Sequence, residues 1–155
     1  MPDIFSPCFQ GVAHENVDHC PNDAIVGGTG IDLFYLPADF VKSMTLPTVT
    51  NATKYAERIT IASTELTLKE GKGWKSITLL VDENELSNQL VGNKGNKKPK
   101  VEFDGFVPNF KKKNLGFVDT HKNTPMIYAI KDSNGQVWII GTLNAPAFFD
   151  EFTTK

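Results

Sequence analysis

The chain has 155 residues and a mass of 17.1 kDa, the size of one ordinary domain that can bury one sizeable core. Hydrophobic residues make up 40% and charged residues 22% of the chain, which excludes wholesale disorder. The formal net charge of −2 says little about partners. No apolar run approaches the roughly 18 residues of a membrane span, so we expect no transmembrane helix and no membrane partner.

Charge and cysteine usage give the first expectations about environment. The N-terminus lacks a basic segment followed by an apolar core, so we expect synthesis and retention in a cytoplasm, with Cys8 and Cys20 as reduced thiols. Six acidic residues and no lysine or arginine precede residue 41, whereas residues 94–113 carry seven lysines against Glu102 and Asp104. The chain is therefore electrically polar along its sequence.

The first half of the chain predicts an arm followed by strands. Residues 1–30 contain several prolines and glycines without a lasting period, so we interpret them as an irregular N-terminal arm. Residues 31–36 are rich in aromatic and aliphatic side chains and predict a strand. Residues 58–68 predict a bulged strand or two short strands, joined through a glycine turn at 71–73 to a strand at 74–81 as a hairpin.

The second half predicts further strands and one helix. Residues 85–91 fit a strand better than a short helix because a Gly-Asn pair follows them, and residues 92–99 predict a polar loop or hairpin tip before a strand at 101–103. A helix is expected from Pro108 to about His121.

The clearest pattern is a hairpin near the C-terminus. Two apolar runs, 126–130 and 137–141, flank an Asn-Gly pair, which is typical of a tight hairpin turn. Both faces of its second strand are apolar, so we expect Trp138 to be buried in the hairpin core.

These elements predict a mainly β fold, a β-sandwich or partly closed barrel of short antiparallel strands with one flanking short helix and extended terminal arms. The predicted boundaries are an N-terminal arm at 1–30, a β-rich core domain at 31–145 and an apolar tail at 146–155.

No group of residues carries a specific catalytic or cofactor-binding pattern. Cys8, His14, His19 and Cys20 are four zinc-capable side chains in a short segment, but adjacent His19 and Cys20 point apart and rarely share one tetrahedral ion. We therefore expect no stoichiometric zinc and keep a zinc-binding domain as a less favoured alternative. No nucleophile, phosphate-loop or metalloprotease signature occurs, so we expect no enzyme and no cofactor.

The lysine-rich segment has three interpretations. Lys94, Lys97, Lys98 and Lys100 could form a solvated surface, contact an acidic neighbouring subunit or bind nucleic acid. Nucleic acid is disfavoured because the chain has one arginine, Arg58, and because the nearby aromatic residues sit where the core pattern needs them.

Several motifs in chain order resemble those of small virion proteins from tailed phages that infect Bacteroidota, including crAss-like phages. They are the Cys8–Ala13 and Asp18–Pro21 segments, Gly27-Gly28, Ala62–Leu68 with Gly71, Phe106-Val107-Pro108, the Ile127–Ile140 hairpin and Ala145–Asp150. The resemblance covers most of the chain.

The resemblance implies a head–tail connector ring or tail-tube subunit, in which a β-sandwich with a flanking helix joins its sheets around an axis. It implies no catalytic residue and no cofactor. The implied partners are copies of the chain and neighbouring virion proteins, with passive contact to genome DNA if a lumen carries it. The implied location is the virion, assembled in the host cytoplasm.

We expect assembly to use the lysine segment and the apolar tail. Phe148, Phe149 and Phe152 lack an evident partner within one small core, so a neighbouring copy is expected to cover them. The acidic first forty residues would face the lysines of the next copy. The alternative from another class is a small phage-encoded host-interaction or adhesion β-domain, which would work as a monomer or dimer.

Overall fold

The computed structural model describes residues 15–17, 29–46, 56, 59–80, 83–107 and 111–151. Within these residues the chain forms eight β-strands and one α-helix. In chain order they are β1 Thr29–Pro37, β2 Val41–Met44, β3 Leu66–Leu68, β4 Lys75–Thr78, β5 Glu85–Val91, β6 Lys98–Asp104, α1 Lys112–His121, β7 Met126–Asp132 and β8 Val137–Ile140.

The chain divides into two compact units, each built from two segments. The first unit comprises Met1–Ala24 and Val41–Glu70, and the second comprises Ile25–Phe40 and Gly71–Lys155. Of the first thirty residues, in which an arm was predicted, only 15–17 and 29–30 belong to the described residues.

The described part of the first unit is a two-stranded antiparallel sheet. Strands β2 and β3 pair with Val41 opposite Leu68 and Met44 opposite Leu66. A 3-10 turn at Ser63–Glu65 precedes β3, so the strand occupies only Leu66–Leu68 of the predicted 58–68 segment. The predicted hairpin between this region and residues 74–81 is wrong, because β3 pairs with β2 and β4 pairs with β1.

The second unit contains a four-stranded antiparallel sheet in the order β4-β1-β7-β8. Its register places Tyr128 opposite Tyr35 on one side and opposite Ile140 on the other. The predicted hairpin of β7 and β8 is confirmed, and Gly135 in its turn has a φ of +87°, a conformation that favours glycine.

One cluster of buried residues in the second unit lies on one face of this sheet, and Leu36 and Ile127 are completely buried on the other face. The cluster consists of Leu33, Leu79, Ile130 and Ile140. Leu86 of β5 and Phe103 of β6 pack against these residues from outside the sheet, so the β5–β6 pair forms a partial second layer. The predicted fold class is confirmed as mainly β and sandwich-like, and the described strands form no closed barrel.

Helix α1 flanks the same unit, as predicted. The predicted start at Pro108 lies outside the described residues, and the described helix begins at Lys112 and ends at His121. Its Phe117 ring packs edge-on against Tyr35 of β1, with 4.8 Å between ring centroids. The His121 ring lies 5.0 Å from that of Phe117 and extends the aromatic contact.

Trp138 is not buried, and the expectation that it lies in the hairpin core is wrong. Its side chain is 39% exposed. It lies opposite Ile130 in the sheet, on β8, which is an edge strand of the four-stranded sheet. Its indole Nε1 donates a hydrogen bond to Asp132 Oδ2 at 2.8 Å.

Candidate functional site

The most distinctive surface of the second unit is the β5–β6 hairpin, Glu85–Asp104, which we call the ribbon. Its strands pair continuously from Glu85 opposite Asp104 to Val91 opposite Lys98. The turn between them uses Gly92 at φ +113° and Gly95 at φ +86°. Every residue from 88 to 102 is exposed, so the ribbon leaves the body of the unit beyond its first residue pairs.

One face of the ribbon, which we call the inner face, is apolar except for Asn88. Leu86 and Phe103 form a cross-strand pair and pack on the core. Further out on the same face, Val101 is 43% exposed and Leu90, opposite Pro99, is 68% exposed. Side chains alternate between faces along a strand, so these residues continue the apolar face of the core into solvent.

The opposite face of the ribbon, the outer face, carries a gradient of charge. At the base Glu85 lies directly opposite Asp104, and neither carboxylate has an ion-pair partner among the described residues. Toward the tip the outer face carries Lys100 and Lys98. Like charges directly opposite each other disfavour a pair, so the base is an acidic site without compensation.

All four lysines predicted to form an interface lie on the ribbon. Lys97 Nζ donates to the Gly92 carbonyl at 2.7 Å, which closes the turn. Lys100 Nζ lies 2.8 Å from Glu102 Oε1, and the hydrogen bond and charge of Glu102 raise the pKa of Lys100. The side chains of Lys94 and Lys98 make no hydrogen bond or ion pair with the residues that the structure describes. The tip therefore carries two ammonium groups that a partner could bind.

A cleft of about 450 Å³ lies under the base of the ribbon, beside the β7–β8 hairpin. It is lined by Thr29, Asn84, Glu85, Leu86, Asn88, Asp132 and Trp138. The Thr29 hydroxyl is buried there and has no hydrogen-bond partner within the described part of the chain. This volume is in the range of roughly 300–1,000 Å³ that ligand pockets occupy.

The β7–β8 turn fixes a negative charge and an aromatic face in this cleft. Asp132 Oδ1 accepts hydrogen bonds from the backbone N–H groups of Asn134 and Gln136, each at 2.9 Å. The Trp138 indole bond and these backbone bonds hold the pKa of Asp132 below its ordinary value. The Asp132 carboxylate lies beside the partly exposed indole ring, and Glu85 is a second acidic residue in the lining. Such a set suits a cation, through ion pairing and contact with the ring.

Sequence reasoning missed this cleft. The Asp132–Gly135 turn was recognised, but the link from Asp132 to Trp138 depends on hairpin register, and the proximity of Glu85 depends on how the ribbon packs on the sheet. A carboxylate at the start of an Asn-Gly turn with an aromatic residue shortly after it was the available signal.

The described residues of the predicted apolar tail differ in whether they contact the rest of the chain. Ala147 pairs with Met126, with N–O distances of 2.9 and 2.8 Å in the two backbone hydrogen bonds. Phe149 packs 6.0 Å from the Phe117 ring of the same chain, whereas Phe148 is 57% exposed. Phe152 lies outside the described residues. Of the three phenylalanines predicted to bind a neighbour, Phe148 has the described side chain with the most surface to offer.

The predicted zinc candidates Cys8, His14, His19 and Cys20 all lie outside the described residues. In the ranges that the structure describes, no group of three or more His, Cys, Asp or Glu side chains is arranged to hold a metal ion. No helix in those ranges is long and apolar enough to cross a membrane.

Comparison of the chain with protein-family models, with curated proteins and with solved structures finds no match.

Proposed function

We propose that this chain is a non-enzymatic structural subunit of a tailed bacteriophage particle, which assembles with copies of itself into a head–tail connector ring or a tail tube. Its partners are then further copies and neighbouring virion proteins, and its location is the virion. The resemblance of its motifs to small virion proteins supplies the phage context.

The observation that carries the proposal is the exposed inner face of the ribbon. Leu90 and Val101 project an apolar face into solvent on a two-stranded element that no other described strand covers there. An isolated two-stranded hairpin is marginally stable in water. Covering these side chains with a neighbour would contribute roughly 1.5–3 kcal/mol for each that becomes fully buried.

The projection of the ribbon from the unit supports assembly into a ring or a tube. When a projection of one copy packs on a different surface of the next copy, the contact is heterologous, and repeating it closes a ring or extends a tube. The separation of charge along the ribbon would orient successive copies. DNA passing through a lumen would be a consequence of ring geometry and not of specific binding.

The test compares matched substitutions on the two faces of the ribbon. Val101 on the inner face and Val91 on the outer face have similar exposures, 43% and 39%. We expect the wild type to form discrete oligomers in size-exclusion chromatography with light scattering. Leu90→Ser with Val101→Thr should lower the assembled fraction at least tenfold, while Val91→Thr should not, and circular dichroism should show all three proteins folded.

The wild type remaining monomeric at high concentration, and absent from purified particles, would contradict the proposal. A monomer that binds the surface of a host cell would instead favour the adhesion-domain alternative. Equal loss of assembly in the inner-face and outer-face variants would show that the inner face is not the contact.

A further inference from the structure

The cleft under the ribbon and the lysines at its tip have complementary chemistry. The lining of the cleft includes two acidic residues, Glu85 and Asp132, and Trp138, whose side chain is 39% exposed. The tip presents Lys94 and Lys98, which have no partner among the described residues. A primary ammonium group pairs with carboxylates and binds aromatic rings, so lysine is the side chain whose chemistry suits this lining.

A chain cannot bring its own tip to its own cleft. The cleft adjoins the base of the ribbon, and the tip lies at the far end of seven paired residues on each strand. At about 3.3 Å per residue, this separation is roughly 20 Å. A contact between the two surfaces therefore requires two copies of the chain.

We propose that the lysine-bearing tip of one ribbon, residues 92–98, docks in the cleft of a second copy, between the base of its ribbon and Trp138. The inference rests on the proposed function and specifies the contact that builds the assembly. The inner face of the second ribbon, with Asn88, Val101 and Leu90, extends beyond the cleft and covers the docked tip. Apolar contact and charge pairing then act in one interface.

The direction of this contact follows from its two unlike halves. The tip is basic and the cleft acidic, so tip meets cleft and two tips repel each other. Each copy has one of each, so the contact is heterologous and every subunit can bind two neighbours. The acidic pair of Glu85 and Asp104 at the base gains the cation that it lacks within its own chain.

The experiment uses charge reversals that leave the fold intact. The tip variant is Lys94→Glu with Lys98→Glu, which spares Lys97 and its bond to the turn. The cleft variant is Glu85→Lys, whose new cation lies opposite Asp104 and so favours the ribbon. The control is Glu83→Lys, the same charge change at an exposed residue that does not line the cleft.

We expect each of the tip and cleft variants alone to assemble at least tenfold more weakly than the wild type and the control, with the difference shrinking at high salt. Mixed in equal amounts, the two variants should form dimers and nothing larger, because only one competent contact remains in each pair. The fluorescence of Trp138 should change when these dimers form, and Trp138→Phe in the tip variant should abolish that change.

Normal assembly of the Glu85→Lys protein, or a mixture that gives no dimer, would overturn this inference while leaving a self-assembling subunit intact. A wild-type chain that stays monomeric would overturn both this inference and the proposed function.

Discussion

The two hairpins of the second unit share antiparallel pairing but differ in how far their residues are buried. In the β7–β8 hairpin, Ile127 and Ile130 are completely buried, and β7 pairs with β1 on its other side. The β5–β6 ribbon has a longer paired register, yet every residue from 88 to 102 is exposed. Strand pairing therefore does not report burial, since the longer of the two paired hairpins is the more exposed one.

The ribbon holds its shape through its base. Leu86 and Phe103 attach it to the core. Asn84 fixes the entry and exit of the ribbon, since its Nδ2 donates to the Leu80 carbonyl at 2.7 Å and its Oδ1 accepts the Phe106 N–H at 3.2 Å. Beyond its base, the ribbon is held by cross-strand pairing, by the bond from Lys97 Nζ to the Gly92 carbonyl and by the Lys100–Glu102 ion pair.

The largest effect should come from truncation in the buried hairpin. Ile130→Ala removes a completely buried side chain, and we expect it to lower the free energy of unfolding by about 2–5 kcal/mol. Leu90→Ala on the ribbon should change it by less than about 0.5 kcal/mol in the monomer. Urea denaturation at low protein concentration measures both, and similar losses in the two variants would mean that the ribbon is part of the monomer core.

A second comparison concerns the exit from the buried hairpin. Gly141 has a φ of +94°, and a Cβ there would lie 2.9 Å from the Ala147 nitrogen and 3.0 Å from the Met126 carbonyl oxygen. We expect Gly141→Ala to cost about 1–3 kcal/mol in thermal or urea unfolding. Gly116→Ala in α1, where a Cβ meets no atom within 4 Å, should instead stabilise the protein by up to about 1 kcal/mol. The same sign in both variants would contradict the strain argument.

Alkaline pH should lower the free energy of unfolding through Tyr128, a residue of the β7–β8 hairpin. Burial raises the pKa of Tyr128 to about 12, whereas a tyrosine in an unfolded chain ionises near 10. Between these two pKa values the unfolded chain releases the Tyr128 proton that the folded chain keeps. The stability that this difference contributes is fully present below about pH 10 and is lost as the pH rises toward about 12. Unfolding curves over this range should show the loss in the wild type and in Tyr35→Phe, and a reduced loss in Tyr128→Phe.

The smallest effect is expected at Trp138, which belongs to the β7–β8 hairpin and lines the cleft beside the ribbon. Trp138→Phe removes the indole bond to Asp132 but leaves the two backbone bonds that hold the turn. We expect a small decrease in thermal stability, well below the roughly 3–5 kcal/mol that loss of a buried tryptophan costs. The loss should also shrink as pH falls through the lowered pKa of Asp132, because the protonated carboxyl is a weaker acceptor. A loss as large as that of Ile130→Ala would mean that Trp138 is buried in solution.

The sequence predicted elements whose signals are local. Alternation and the Asn-Gly pair identified β7 and β8, and the aromatic run identified β1. It did not predict the partner of β3, because pairing with β2 depends on contacts beyond the glycine turn that follows β3. The exposure of Trp138 was missed for a related reason, since an apolar residue on a strand is buried only where another layer covers it.

The candidate site was predicted in part. The lysines are visible as a charge run, and the structure brings Lys94, Lys97, Lys98 and Lys100 onto one ribbon. The cleft was not predictable, because Glu85 and Trp138 lie far apart in sequence and meet only through the packing of the ribbon on the sheet.

The order of strands in the sheet also sets a constraint on how the chain is made. Strand β1 lies between β4 and β7. Tyr35 of β1 pairs with Tyr128 of β7, which is synthesised about ninety residues later. A nascent chain leaving the ribosome would hold β1 without its second neighbour until nearly the whole sequence has emerged. Closing such long loops is slow, and unpaired strands invite aggregation in the meantime. Yield on expression should therefore respond to temperature and to chaperone supply more strongly than the stability of the finished protein suggests.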